Sequence, residues 1–92
     1  MVLYDETKRK SNIKDHGLDF VGCEAIFSGP TASAEDTREA YGERRVNVIG
    51  FLNGQIVCLT YTERGENLRV ISLRKANRNE TRYFAKTLSF HS

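Results

Sequence analysis

Arg64, Arg69, Arg74 and Lys75 crowd the stretch around the last β-rich run of the chain. Guanidinium groups stay charged and grip phosphate oxygens through two parallel hydrogen bonds, so such a cluster is suited to holding phosphate and to stabilising charge that grows on it. Each of these residues taken singly is as well read as a surface partner of Glu63 or Glu66. Proton transfer has fewer candidates. Glu63 adjoins Arg64 and serves as a base if burial raises its pKa; otherwise it is a solvated turn residue. His16 is of the type that exchanges protons near neutrality, although beside Gly17 it also suits the negative end of a helix. Lys8, Asn12 and His16 recur at four-residue steps and so share one helical face. Tyr61 has a phenolic proton to give, but its apolar neighbours favour a place in the core. His91, next to the last residue, is expected to be disordered.

Charge is divided along the chain. Residues 19–43 hold six acidic side chains against Arg38 alone, whereas residues 64–92 hold seven basic side chains against Glu66 and Glu80. The pattern fits one surface facing a polyanion and an acidic surface elsewhere, or simply two solvated faces. With 92 residues and 28% of them charged, residues 1–92 are expected to form one small soluble domain. No run approaches the roughly 20 apolar residues of a membrane span, and the start lacks a basic region followed by an apolar one, so the cytoplasm is the expected compartment. Cys23 and Cys58 are expected to be buried, reduced thiols. Cys23, Cys58, His16 and His91 are scattered singly rather than paired at ligand spacing, so no metal site is expected, and no cofactor motif is present.

The elements that must position these groups are set by local signals. Asp5 suits the N-cap of a helix running from Glu6 to His16, which Gly17 ends in the left-handed conformation. Phe20, Cys23, Ile26 and Phe27 recur at three- and four-residue steps, predicting a second helix from about Asp19 that Ser28-Gly29-Pro30 stops. Ala32 to Ala34 reads as a short strand. Asn53-Gly54 between Arg45–Leu52 and Gln55–Thr62 is a strong hairpin signal. Glu63–Asn67 then supplies a second turn before the strand Leu68–Arg74. Asn77 caps a final helix, with Glu80 at capping-box spacing. The expected fold is α+β: a small antiparallel meander with two N-terminal helices and one C-terminal helix. Strand alternation puts Val57, Leu59, Tyr61, Ile71 and Leu73 under the helices, leaving Thr60, Thr62, Ser72 and Arg74 toward an open surface flanked by Arg64.

Tyr61-Thr62-Glu63-Arg64-Gly65-Glu66, then Arg69-Val70-Ile71-Ser72-Leu73-Arg74-Lys75-Ala76 with Glu80 and Tyr83 beyond, resembles the BrnT toxin family. Asp5, Lys8, Asn12, His16-Gly17, Phe20, Phe27 and Pro30 match that family's amino-terminal spacing, and Arg45, Ile49-Gly50 and Gly54 its central strands. Tyr4 stands where the family usually has Trp, Asp15 where Lys is usual, and Ser28-Gly29 where acidic residues commonly precede Pro30. The resemblance implies a RelE-like fold and a metal-independent endoribonuclease that halts growth by degrading RNA. It further implies neutralisation by a BrnA-like antitoxin, with operator DNA reached only through that partner. In such chemistry the RNA 2′-hydroxyl attacks the adjacent phosphorus, so the protein must bind the phosphate, remove one proton and supply another. The candidate catalytic residues are Arg64, Arg74, Glu63 and His16, with Lys75, Arg69, Thr62, Ser72 and Lys8 as RNA contacts. The competing reading is a non-catalytic module that holds nucleic acid or an acidic partner on the same basic face.

Overall fold

A computed structural model describes residues 1–37 and 42–91. Strand β1 (Val2–Leu3) leads into helix α1 (Glu6–His16), and a short 3₁₀ helix covers Cys23–Ser28. Next come strands β2 (Thr31–Glu35), β3 (Arg45–Leu52), β4 (Gln55–Arg64) and β5 (Asn67–Lys75), and α2 (Arg78–His91) closes the chain. Among the described residues no helix is long and apolar enough to cross a membrane. His91 lies in α2, but its side chain is outside the described residues.

The sheet is mixed, in the order β1-β5-β4-β3-β2, with β1 parallel to β5 and the other pairs antiparallel. This corrects the expected antiparallel meander. The chain start adds a parallel strand at one edge, and Thr31–Glu35, longer than the run the sequence suggested, adds the strand at the other. The Asn53-Gly54 turn forms as expected, with φ of 51° and 78° at its two residues, the positive values that a tight hairpin of this hand requires.

The second expected N-terminal helix is also corrected. Asp19 accepts a hydrogen bond from the Val21 amide at 2.9 Å, and Gly22 sits at φ 83°, so an α-helix cannot run through 19–22. From Cys23 the chain coils as a 3₁₀ helix instead. With three residues per turn, Cys23 and Ile26 align on one side and, with Phe20 from the preceding turn, are fully buried, while Phe27 is 41% exposed.

Both faces of the sheet are packed. Phe20, Cys23 and Ile26 meet Val48, Leu52, Val57, Leu59, Val70 and Leu73 on one side. Phe84 of α2 meets Ala32, Ile49 and Cys58 on the other. Cys23 and Cys58 thus lie in different cores and form no disulfide. Strand parity fails at one place. Thr60 pairs with Ser72 but Tyr61 pairs with Val70, so Ile71 is the extra residue of a β-bulge. Val70, rather than Ile71, therefore joins Leu73 in the core. Thr60 and Thr62, expected on an open surface, are buried: their hydroxyls donate to Asn47 Oδ1 at 2.6 Å and to the Arg44 carbonyl at 2.9 Å.

Candidate functional site

Helix α1 is polar on nearly every side, and Asn12 is its only buried residue, so apolar packing alone does not explain its position. Asp5 caps it, with Oδ1 accepting from the Thr7 and Lys8 amides, and the Gly17 amide closes it on the Ile13 carbonyl. Asn12 fixes its place on the sheet. Strand β1 pairs only with Leu68 and Arg69, which leaves the outer edge of β5 without a strand neighbour at Leu73 among the described residues. There Asn12 donates to the Leu73 carbonyl at 2.8 Å and accepts from the Leu73 amide at 3.0 Å, acting as a one-residue substitute for a strand. The same side-chain amide also donates to the Leu18 carbonyl at 2.8 Å. Arg9 secures the return of the chain with two hydrogen bonds to Asp19, at 2.7 and 2.9 Å. These, with the Val21 amide, hold the Asp19 carboxyl down at about 2.

The Lys8–Asn12–His16 face therefore reaches the sheet. Lys8, Ser11, Asn12, Asp15 and His16 form one wall of a depression of about 190 Å³, and Ile71 and Ser72 form the other. The bulge helps create it, because Ile71 is released from the core and turned to this side. Lys8 and His16 are exposed, Ser72 is half-buried, and Asn12 is fixed by three hydrogen bonds. An ammonium, an imidazole, two hydroxyls and the Asp15 carboxylate thus share one cleft with an amide fixed by its hydrogen bonds. That set can bind an anion and transfer a proton.

Toward the start of α1, a second depression of about 340 Å³ is lined by Leu3, Tyr4, Asp5, Arg64 and Arg69. The Tyr4 ring meets buried Phe20 edge-on at 5.8 Å and 65°. Arg64 donates to Glu43 at 3.2 Å on the surface. Arg69 is half-buried and, among the described residues, has no carboxylate within ion-pairing distance.

The basic cluster expected around one surface is divided. Arg64 pairs with Asn67 at one end of the β4–β5 hairpin, and Arg74 pairs with Cys58 nearer the other. The six residue steps between Cys58 and Arg64 span about 20 Å. Arg74 donates to both oxygens of Glu80, at 2.7 and 2.8 Å, and exposed Lys75 comes next in the strand. Glu63 is exposed and lies 3.6 Å from Arg44, away from the His16 cleft. Tyr61 is half-buried against Phe27, and burial raises its phenol pKa. Sequence reasoning placed Lys8 and His16 on one face but missed Tyr4, Ser11 and Asp15. For Tyr4 the available signal was a large aromatic immediately before a helix cap.

The family model described as "Ribonuclease toxin, BrnT, of type II toxin-antitoxin system" matches residues 4–80, a span that contains the His16 cleft, the Arg74–Glu80 pair and, apart from Leu3, the lining of the Tyr4 depression. No curated protein matches the chain.

Proposed function

The chain belongs to the BrnT family of ribonuclease toxins of type II toxin-antitoxin systems, and from that premise we propose that it cuts RNA internally by in-line attack of the 2′-hydroxyl, with His16 and Lys8 as the proton-transfer groups. The observation that supports this choice is the shared cleft, which His16, Lys8 and Ser72 line together with Asn12. In this reading His16 takes the 2′ proton as O2′ bonds to phosphorus. Lys8 stabilises the negative charge on the phosphoryl oxygens and gives a proton to the departing 5′ oxygen as the P–O5′ bond breaks. Ser72 donates a hydrogen bond to a phosphoryl oxygen, and Asn12 positions the helix that carries both proton-transfer groups. The products are a 2′,3′-cyclic phosphate and a 5′-hydroxyl. The reaction needs no metal, because the nucleophile is supplied by the substrate.

A type II system brings an antitoxin partner, and we assign that role to a BrnA-like protein through which alone operator DNA is contacted. Arg64 and Arg69 hold the strand beside the cleft. Arg74, whose guanidinium lies on Glu80, acts by holding β5 to α2, and Lys75 adds positive charge at that end. Glu63, paired to Arg44, takes no part in proton transfer.

The test is incubation of purified protein with RNA in excess chelator, with analysis of the product ends. Cyclic phosphate ends, with His16→Ala and Lys8→Ala each slower by about 10²-fold or more and still folded, are expected. Ends bearing a 3′-hydroxyl and 5′-phosphate, or native rates in both variants, overturn the mechanism.

A further inference from the structure

We infer that the depression formed by Tyr4, Arg64 and Arg69 is a subsite for one unpaired nucleotide of the RNA, with the base on the Tyr4 ring and its phosphate on the two guanidinium groups. The inference rests on the ribonuclease reading and extends it, naming single-stranded RNA as the substrate class and Tyr4 as a binding residue. Tyr4 sits between β1 and the cap residue Asp5. One side of its ring is fixed against fully buried Phe20, while the residue as a whole remains 37% exposed. A ring already held in place forms a stacking platform with little left to order on binding, and every base has a face to present to it.

The cations are placed by the sheet. Leu3 is the register partner of Arg69, so the guanidinium of β5 emerges beside the residue that precedes Tyr4. Arg69 is half-buried with no carboxylate partner among the described residues, an arrangement favourable to an incoming anion. Arg64 contributes a second cation whose surface contact with Glu43 is readily exchanged.

Asp5 gives the depression its polarity. Its Oδ1 is committed to the Thr7 and Lys8 amides, and its negative charge keeps phosphate on the arginine side while leaving an acceptor for base N–H groups. Asp5 lines this depression and Lys8 the catalytic cleft, three residues and about 4.5 Å of helix rise apart. A strand held at Tyr4 therefore has Lys8 within reach, and His16 lies about two further turns along α1. A duplex cannot offer its base faces in this way, which selects unpaired RNA.

The experiment uses a fluorescently labelled single-stranded 2′-O-methyl oligonucleotide, which lacks the nucleophile, together with cleavable RNA and the antitoxin. Tyr4→Leu, which keeps an apolar neighbour for Phe20 but removes the π face, is expected to weaken oligonucleotide binding about tenfold, while Tyr4→Trp retains it. Arg69→Gln is expected to weaken binding and to reduce the slope of log affinity against log salt by about 0.7. Thermal unfolding of each variant confirms that the fold is kept. Native binding and cleavage by Tyr4→Leu overturn the proposal. So does loss of antitoxin binding with unchanged RNA behaviour, which makes the depression a partner surface. If the native chain binds the oligonucleotide through Tyr4 yet cuts no RNA, the ribonuclease mechanism fails while the subsite stands.

Discussion

Arg74 lays its guanidinium across both carboxylate oxygens of Glu80, at 2.7 and 2.8 Å, and so ties β5 to the first turn of α2. Glu80 is also the N3 residue of the capping box: its Oε1 accepts from the Asn77 amide at 2.9 Å, and its own amide donates to Asn77 Oδ1 at 2.8 Å. One carboxylate therefore both starts the last helix and attaches it to the sheet.

The attachment is pH-sensitive. The Arg74 guanidinium, with help from the Asn77 amide, holds the Glu80 carboxyl below the ordinary carboxylate range, and Arg9 holds Asp19 at about 2. A depressed folded-state pKa means stability that is present above the unfolded value and lost as pH falls through the folded one. The urea midpoint is expected to fall steadily from about pH 4 toward pH 2 through these two groups. Glu80→Gln is expected to lose about 1 kcal/mol at pH 7, a deficit that shrinks as the pH falls and native Glu80 takes up its proton. An equal deficit at pH 7 and pH 2 would show that the charge on Glu80 is irrelevant.

Removal of Asn12 is expected to be costly, because its partners are main-chain groups, two of them on an edge of β5 that has no strand neighbour at Leu73 among the described residues. Asn12→Ala leaves the Leu73 amide and carbonyl unsatisfied in a buried setting, together with the Leu18 carbonyl. A loss of about 2–4 kcal/mol is expected, measured by chemical denaturation, with cleavage falling as α1 loosens. A loss below about 1 kcal/mol is incompatible with the edge-capping role.

Gly50 is required by close approach rather than by φ. A Cβ there would stand 2.8 Å from Ile26 Cγ1 and 3.2 Å from the Pro30 carbonyl oxygen, where the 3₁₀ segment and the chain leaving it cross β3. Gly50→Ala is expected to destabilise by about 1–3 kcal/mol, lowering the thermal midpoint by several degrees or more. Removing the obstructing Cγ1 with Ile26→Ala is expected to cost less beside Gly50→Ala than in the native chain, recovering part of that loss. No recovery would place the strain on Pro30.

The residues that misled sequence reasoning do so for identifiable reasons. The caps at Asp5, Gly17 and Asn77 and the Asn53-Gly54 hairpin were legible because each is a short-range signal whose chemistry is complete within a few residues. The Phe20–Cys23–Ile26 spacing was legible as a buried stripe but not as 3₁₀, since a step of three suits either helix and the decision came from Gly22 and the Asp19 side chain. Strand parity was sound along β4 and failed in β5 because the Ile71 bulge has no marker in Val70-Ile71-Ser72. Two-residue β1 carries too little pattern to announce itself, and the partners of Asn12 lie 61 residues away at Leu73. The separation of Arg64 from Arg74 was within reach: once the turn is placed at Gly65-Glu66, simple pairing across the hairpin puts residue 74 far from residue 64.

That separation yields a prediction about the two arginines most prominent in the sequence. Arg64 is exposed, pairs with Glu43 at the surface and faces the Tyr4 depression, whereas Arg74 is half-buried and engaged with Glu80. Arg64→Ala is expected to weaken RNA binding severalfold, with a thermal midpoint close to native, since exposed pairs contribute only about 0–1 kcal/mol. Arg74→Ala is expected to lower the midpoint and to leave RNA affinity per folded molecule largely intact. Sites about 20 Å apart with no shared partner contribute independently. The double variant should therefore show both defects, with stability losses adding to within about 0.5 kcal/mol. A shared phosphate would couple the two sites instead: the second substitution would then cost little RNA affinity after the first. Binding titrations and thermal unfolding of the two single variants and the double variant distinguish these outcomes, and strong coupling in affinity would return Arg74 to the substrate.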